Sequence, residues 1–110
     1  MDHERKARGK HRMGFNCSTS VFKAFKDVDK SGNKAPAPRS IAGKCGALLA
    51  AQQVLRDLGI PREDELEQAF KDQMGYITCV ELKQHRCNCN DCVGTAARMV
   101  DFYLAEQAAG

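Results

Sequence analysis

Hydrophobic positions along the chain recur with helical spacing in five segments, each bounded by capping or helix-breaking residues. No stretch alternates between apolar and polar residues with a period of two, as a half-buried strand would. The sequence therefore predicts an all-α fold, a small bundle of four to five helices. The predicted helices run from Asn16 to about Val28, from Ser40 or Gly43 to Leu58, from Pro61 to Met74, from Cys79 to about Gln84, and from Asn90 or Asp91 to about Gln107.

Local signals support these boundaries. Asn16 is a candidate N-cap, and Thr78 with Glu81 forms a capping-box pattern in which each side chain is expected to bond the other residue's N–H. Gly75 is expected to end the third helix, and Asp29–Pro38 reads as a turn-rich linker. The apolar stripes are expected to build the core: Cys17, Val21, Phe25 and Val28; Ile41, Cys45, Leu48, Leu55 and Leu58; Leu66, Phe70 and Met74; Val93, Ala96, Ala97, Val100 and Leu104.

Length and charge divide the chain unequally. The 110 residues suffice for one compact domain, which we assign to residues 14–110, a single helical cysteine-rich domain. The net charge of +3 comes from the first twelve residues, so residues 1–13 are expected to form a flexible basic tail. A solvated tail is a commoner role for such a segment than contact with nucleic acid, and we expect no nucleic-acid partner.

The chain has no pattern typical of export or membrane insertion. The basic start leads into Met13-Gly14-Phe15 rather than an apolar signal segment, and the longest apolar run, Ala47–Ala51, is far too short to span a bilayer. We therefore expect a cytoplasmic protein without a membrane partner. Structural disulfides are uncommon in the cytoplasm, so the cysteines of this chain indicate metal binding or redox chemistry.

Six cysteines are the candidate chemistry. Several of them directly follow residues that cap helices, and a thiol at a helix start faces unpaired N–H groups that favour the thiolate. Four thiolates from different helices suit zinc or an iron-sulfur cluster, although the spacing matches neither a zinc ribbon nor a common ferredoxin run. The alternative is that Cys17 and Cys45 have a purely structural role and pack in the core. The candidate metal ligands are Cys17, Cys45, Cys79, Cys87, Cys89 and Cys92; no catalytic residue is assigned.

The cysteines lie in a pattern that resembles a known family. Phe15-Asn16-Cys17 opens a helix, GKCGALLA follows over 43–50, TCVEL follows over 78–82, and Cys89-x-x-x-Val93 closes the run. This order is similar to the redox-active family named for its C_GCAxxG_C_C pattern, and it covers most of the chain beyond residue 13. The chain departs from the pattern in its Ala-Pro-rich linker and in Ala50, which stands where the family has a glycine.

The resemblance implies a small helical domain. A related domain, associated with a two-iron cluster, begins the split-Soret cytochromes. Carried over, it makes Cys17, Cys45, Cys79 and Cys89 the cofactor-binding residues, with Cys87 or Cys92 able to replace Cys89. The expected function is then an iron-sulfur protein, most simply with a 2Fe-2S cluster, acting in electron transfer or redox sensing with a redox partner protein. Whether it is an oxidoreductase or an electron carrier, and whether it forms a homodimer, stay open.

Two alternatives remain at this stage. In a metal-free thiol-disulfide protein, Cys79 at its capped helix start would attack, and Cys87, Cys89 or Cys92 would resolve. In a zinc-stabilised helical interaction module, the metal would stabilise the fold and the basic tail would contact nucleic acid or an acidic partner.

Overall fold

The computed structural model describes residues 3–27 and 43–109. Over these residues the chain forms α-helices and one isolated antiparallel bridge, between Lys44 and Thr78, with no strand. The predicted all-α fold is confirmed. The helices are α1 His3–Arg12, α2 Cys17–Ala24, α3 Gly46–Asp57, α4 Glu63–Met74, α5 Cys79–Gln84 and α6 Cys89–Ala109. None of these helices is long and apolar enough to cross a membrane.

Helix α6 is the centre of the bundle. It packs against α1, α2, α3 and α4, and α2 also packs against α1 and α3. The predicted stripes supply the buried residues at these contacts because an amphipathic helix is stabilised mainly by burying its apolar face. The fully buried members include Val21, Phe25, Leu48, Leu55, Leu66, Phe70, Val93 and Val100.

Capping residues set the helix ends much as the sequence predicts. The Asn16 side chain accepts a hydrogen bond of 2.8 Å from the N–H of Thr19, and Gly75 ends α4 with φ of 88°. Half of the capping box is confirmed, since Thr78 Oγ1 accepts from the N–H of Glu81 at 3.3 Å. The Glu81 carboxylate differs from the prediction: it accepts the Thr78 hydroxyl, at 2.7 Å.

The N-terminal segment differs from the expected flexible tail. Residues His3–Arg12 form α1, which buries His3 and Ala7 one turn apart against the bundle. The sequence did not predict this helix because its many charged residues leave no apolar stripe longer than these two positions. Some of them make ion pairs within the fold, such as Arg8 with Glu4 at 3.1 Å.

The bounds of α2 and α3 differ most from their predicted positions, whereas α4 and α6 begin within two residues of theirs. Helix α2 ends at Ala24, whereas the sequence predicted about Val28. Helix α3 begins at Gly46 because the backbone before it pairs with the segment leading into α5 instead of coiling: the N–H of Cys45 donates to Ile77 O at 2.8 Å. Val28, the linker Asp29–Pro38, and the predicted helical positions Ser40 and Ile41 lie outside the described residues.

Candidate functional site

Five of the six cysteines line one cleft, which we call the cysteine cleft. It encloses about 310 Å³, including space open to solvent. Its remaining lining comes from Leu82 and Lys83, both on α5. The structure therefore gathers at one place thiols that are up to 72 positions apart in the chain. The five cysteines are Cys17, Cys45, Cys79, Cys87 and Cys89.

Backbone pairing brings Cys45 and Cys79 together. Cys45 is the N-cap of α3, and Cys79 is the first residue of α5. The N–H of Cys45 donates to Ile77 O, and the N–H of Cys79 donates to Gly43 O at 3.0 Å. These two bonds flank the Lys44 to Thr78 bridge, so two helix starts are held side by side.

Cys17 enters the cleft from the start of α2, directly after its Asn16 cap. Its thiol is a hydrogen-bonding partner of the Cys45 thiol and also receives backbone hydrogen bonds from Ser18 and Ala47. The Ala47 contact comes from the first turn of α3. The two helix starts therefore direct N–H groups at one pair of sulfurs.

A tight turn after α5 delivers Cys87 and Cys89. Arg86 adopts φ of 58°, a left-handed conformation that is uncommon for a residue other than glycine. The turn is fixed by the N–H of Cys87 donating to Leu82 O at 2.8 Å. Cys87 is half-buried with its Sγ 3.8 Å from Met74 O, whereas Cys89 is exposed at the start of α6.

Cys92 lies behind the cleft rather than on its wall. It is buried in the first turns of α6 and contacts the Cys45 thiol from the core side. It is inside the helix, since its N–H donates to Asn88 O at 3.1 Å, and α6 begins at Cys89 rather than at the predicted Asn90 or Asp91. Of the three candidates for the fourth ligand, the geometry puts Cys87 and Cys89 at the cleft and leaves Cys92 outside it.

The pKa values of the inner thiols rise. The hydrogen bond with Cys45, together with burial, raises the pKa of Cys17 far above its ordinary value. The Cys17 hydrogen bond lowers the pKa of Cys45, but Cys92 and burial outweigh it and raise that pKa to about 12. A thiol that donates a hydrogen bond to a neighbouring sulfur is stabilised in its neutral form, and burial and repulsion between adjacent thiolates disfavour the charged form.

For Cys17 this reverses the expectation from its position. Its helix-start N–H groups do lower the pKa, as predicted, but their effect is smaller than that of Cys45 and burial. A metal cation bound between the sulfurs would offset this repulsion, because it stabilises the thiolates and their protons are released to solvent.

The donor chemistry of the cleft is all sulfur. All six cysteines are free thiols, and the ionisable residue on the cleft wall besides cysteine is Lys83. Over the described residues, no three His, Cys, Asp or Glu side chains are already arranged to hold a single metal ion. The thiols are therefore grouped around a cleft and do not converge on one point.

Two cleft residues were missed by the sequence reading. Leu82 and Lys83 follow Cys79 by three and four positions, so helical spacing alone places them on the same face as that thiol. The same reasoning leaves His85 away from the cleft, where it stacks on Tyr76 with ring centroids 4.3 Å apart. No family model, curated protein or solved structure matches this chain.

Proposed function

We propose that this chain binds an iron-sulfur cluster, most simply a 2Fe-2S cluster, on thiolates of the cysteine cleft, and that it carries single electrons or senses redox state. The observation that carries the proposal is the cleft itself, where five cysteines from four parts of the chain share one small, otherwise apolar wall. Soft thiolate ligands are those that iron-sulfur clusters and zinc prefer. The resemblance to the C_GCAxxG_C_C family points to the same group of residues.

Cys17, Cys45 and Cys79 are the three ligands on which the proposal depends. The fourth is Cys89, with Cys87 as its competitor, because both line the cleft. A two-iron cluster takes two cysteines on each of two metal atoms, so it can accept thiols grouped along a cleft. A single zinc ion would instead need four of these sulfurs in a tetrahedron around one point.

When bound, the cluster supplies a one-electron redox couple. Of this chain's own residues, the cleft cysteines would hold the cluster, Ser18 and Ala47 donate N–H groups to the Cys17 sulfur, and Leu82 adds an apolar side chain to the cleft wall. Hydrogen bonds to ligand sulfurs and burial are the usual means by which a protein tunes such a potential. Lys83 is the ionisable residue other than cysteine in the cleft lining.

A second function has one observation in its favour. Cys17 and Cys45 are contacting free thiols, as a redox-active dithiol would be. Their raised pKa values oppose it, because the attacking species in disulfide exchange is the thiolate.

We also propose the cytoplasm as the location, since a reducing compartment would keep six thiols free.

Anaerobic reconstitution tests the proposal. Reduced protein is incubated with ferrous iron and sulfide, desalted, and examined by visible absorption and by electron paramagnetic resonance after reduction. We expect visible bands with a paramagnetic reduced state. A colourless product whose thiols fall in pairs on oxidation would support the dithiol function instead, and tight zinc binding with gain of helicity would support a structural zinc site.

A further inference from the structure

Helix α1 makes an unusually close contact with α6 at Gly94. The Arg8 guanidinium occupies the space where a Cβ at this position would stand, so only glycine admits it. Gly94 lies two residues after Cys92, so the contact bears on the start of α6, which carries Cys89 and Cys92. The reason for this approach is in the polar contacts that Arg8 makes.

Arg8 bonds the residues between those cysteines. Its Nη1 donates to Asn90 O at 3.3 Å, to Asn90 Oδ1 at 3.1 Å and to Asp91 Oδ1 at 2.9 Å. The Asn90 amide donates back to Arg8 O at 3.1 Å. Glu4 holds the guanidinium from the other side, accepting from Nε at 3.1 Å. A planar fork fixed at both ends gives a defined orientation that a single charge would not.

These bonds tie down the first turn of α6 in addition to its N-cap, Asn88. The first turn of a helix has N–H groups without intrahelical partners and frays readily unless it is tied down. In α6 the Asn88 side chain accepts from the N–H of Asn90 at 2.7 Å, and Arg8 then holds Asn90 and Asp91 against α1. The turn so held presents Cys89 to the cleft and keeps Cys92 buried against Cys45.

We propose that Arg8 is a positioning residue for the site: it locks the first turn of α6 so that Cys89 stays at the cleft wall and Cys92 stays behind it. Arg8 touches neither sulfur. The part of this proposal that concerns cluster binding rests on the proposed function, whereas the part that concerns the thiols of the metal-free protein does not.

Thiol labelling of the metal-free protein under native conditions tests the lock. In Arg8→Ala, modification of Cys92 should become at least about tenfold faster, because loss of hydrogen bonds to a charged group favours local opening. Hydrogen exchange of the α3 amides should stay as in the wild type. Gly94→Ala should have the same effect by displacing Arg8, and Lys10→Ala, on the same helix, should have none.

Three outcomes decide the matter. Faster labelling of Cys92 with unchanged exchange in α3 supports the lock. Unchanged labelling overturns it, and so does a rise in labelling matched by faster exchange in α3, which would show only general destabilisation. In reconstituted protein, Arg8→Ala should also release iron several-fold faster; a wild type that binds no cluster would overturn the proposed function and leave the labelling result standing.

Discussion

The cysteine cleft and a group of ionisable side chains around His3 are built differently. His3 is 3% exposed, yet both ring nitrogens have partners: Nδ1 is 2.6 Å from Asp101 Oδ1, and Nε2 is 3.0 Å from Asp27 Oδ1. The ring also stacks on Phe25 with centroids 4.2 Å apart. This group connects α1 to the end of α2 and to α6.

The thiols of the cysteine cleft do not have such close hydrogen-bond partners. Its thiols make long contacts with carbonyl groups, such as Cys79 Sγ to Lys44 O at 3.9 Å, or contact other thiols. Sulfur accepts and donates hydrogen bonds weakly, so these contacts leave its capacity to bind a metal intact. Buried polar groups whose hydrogen-bonding atoms all have partners stabilise a fold. Grouped metal-binding side chains that make only weak hydrogen bonds beside a cleft are candidates for function.

The largest effect on cluster binding at the cysteine cleft is expected from Cys79→Ser. We expect iron loading in reconstitution to fall at least about tenfold, because a hydroxyl is a poor replacement for a thiolate ligand. Stability of the metal-free protein should change little at this half-buried position. Cys92→Ala is the matched control, since it removes a thiol outside the cleft and should retain the cluster. Equal iron content in the two variants would contradict the assignment of the site.

The opposite result is expected at His3. His3→Ala should lower the free energy of unfolding by about 3 kcal/mol, because it removes two hydrogen bonds and leaves the nearly buried Asp101 without this partner. Iron loading should be unchanged. Urea unfolding measures the effect. The control is Lys6→Ala, which removes an exposed ion pair with Asp27 and should lower the free energy of unfolding by less than about 1 kcal/mol. A His3 variant that is fully stable but loads no iron would invert the roles of the two clusters.

The helices of residues 14–110 could be predicted from sequence because their signals are local. Asn16, Thr78 and Gly75 mark helix ends by chemistry within a few residues, and the stripe with Val93 and Val100 has a clear period. Helix α1 was missed because its buried face is only His3 and Ala7, and a buried histidine is recognisable only once Asp27 and Asp101 are known to meet it.

The site was predictable in its residue type and not in its arrangement. The resemblance selected Cys17, Cys45, Cys79 and Cys89, and the cleft does contain all four. That Cys87 lies at the cleft while Cys92 lies behind it depends on the left-handed turn at Arg86 and on the exact start of α6, which long-range contacts determine. The extended Lys44–Cys45 segment depends likewise on its bridge to Thr78, more than thirty residues away in sequence.

A smaller effect is expected in thiol reactivity. Because the pKa of Cys45 is about 12 in the metal-free protein, its alkylation rate should still be rising with pH at about pH 10. The rate at Cys89, which is exposed, serves as the reference within the same sample. Labelling followed by mass spectrometry across a pH series measures both. A Cys45 rate that levels off below about pH 9 would show that the neighbouring thiols do not suppress its ionisation.

The smallest effect is expected from Asp27. Burial raises its pKa, but His3 and Lys6 outweigh burial and hold the pKa below its ordinary value. A carboxyl whose folded pKa is depressed stabilises the fold above its unfolded pKa, and this stabilisation is lost as the pH falls through the folded pKa. Asp27→Asn should therefore lower stability at neutral pH by less than about 1 kcal/mol, since the side chain is half exposed, and the difference should shrink in acid. A difference that grows in acid would contradict this sign.

The most direct test of the central claim is the content of iron and acid-labile sulfide in protein isolated anaerobically without reconstitution. Cluster binding in the cysteine cleft predicts equal amounts of both, about two of each per chain. Their loss in Cys79→Ser and retention in Cys92→Ala would place the cluster at the cleft. Isolated protein that contains zinc, or neither iron nor sulfide, with all six thiols reactive, would contradict the account.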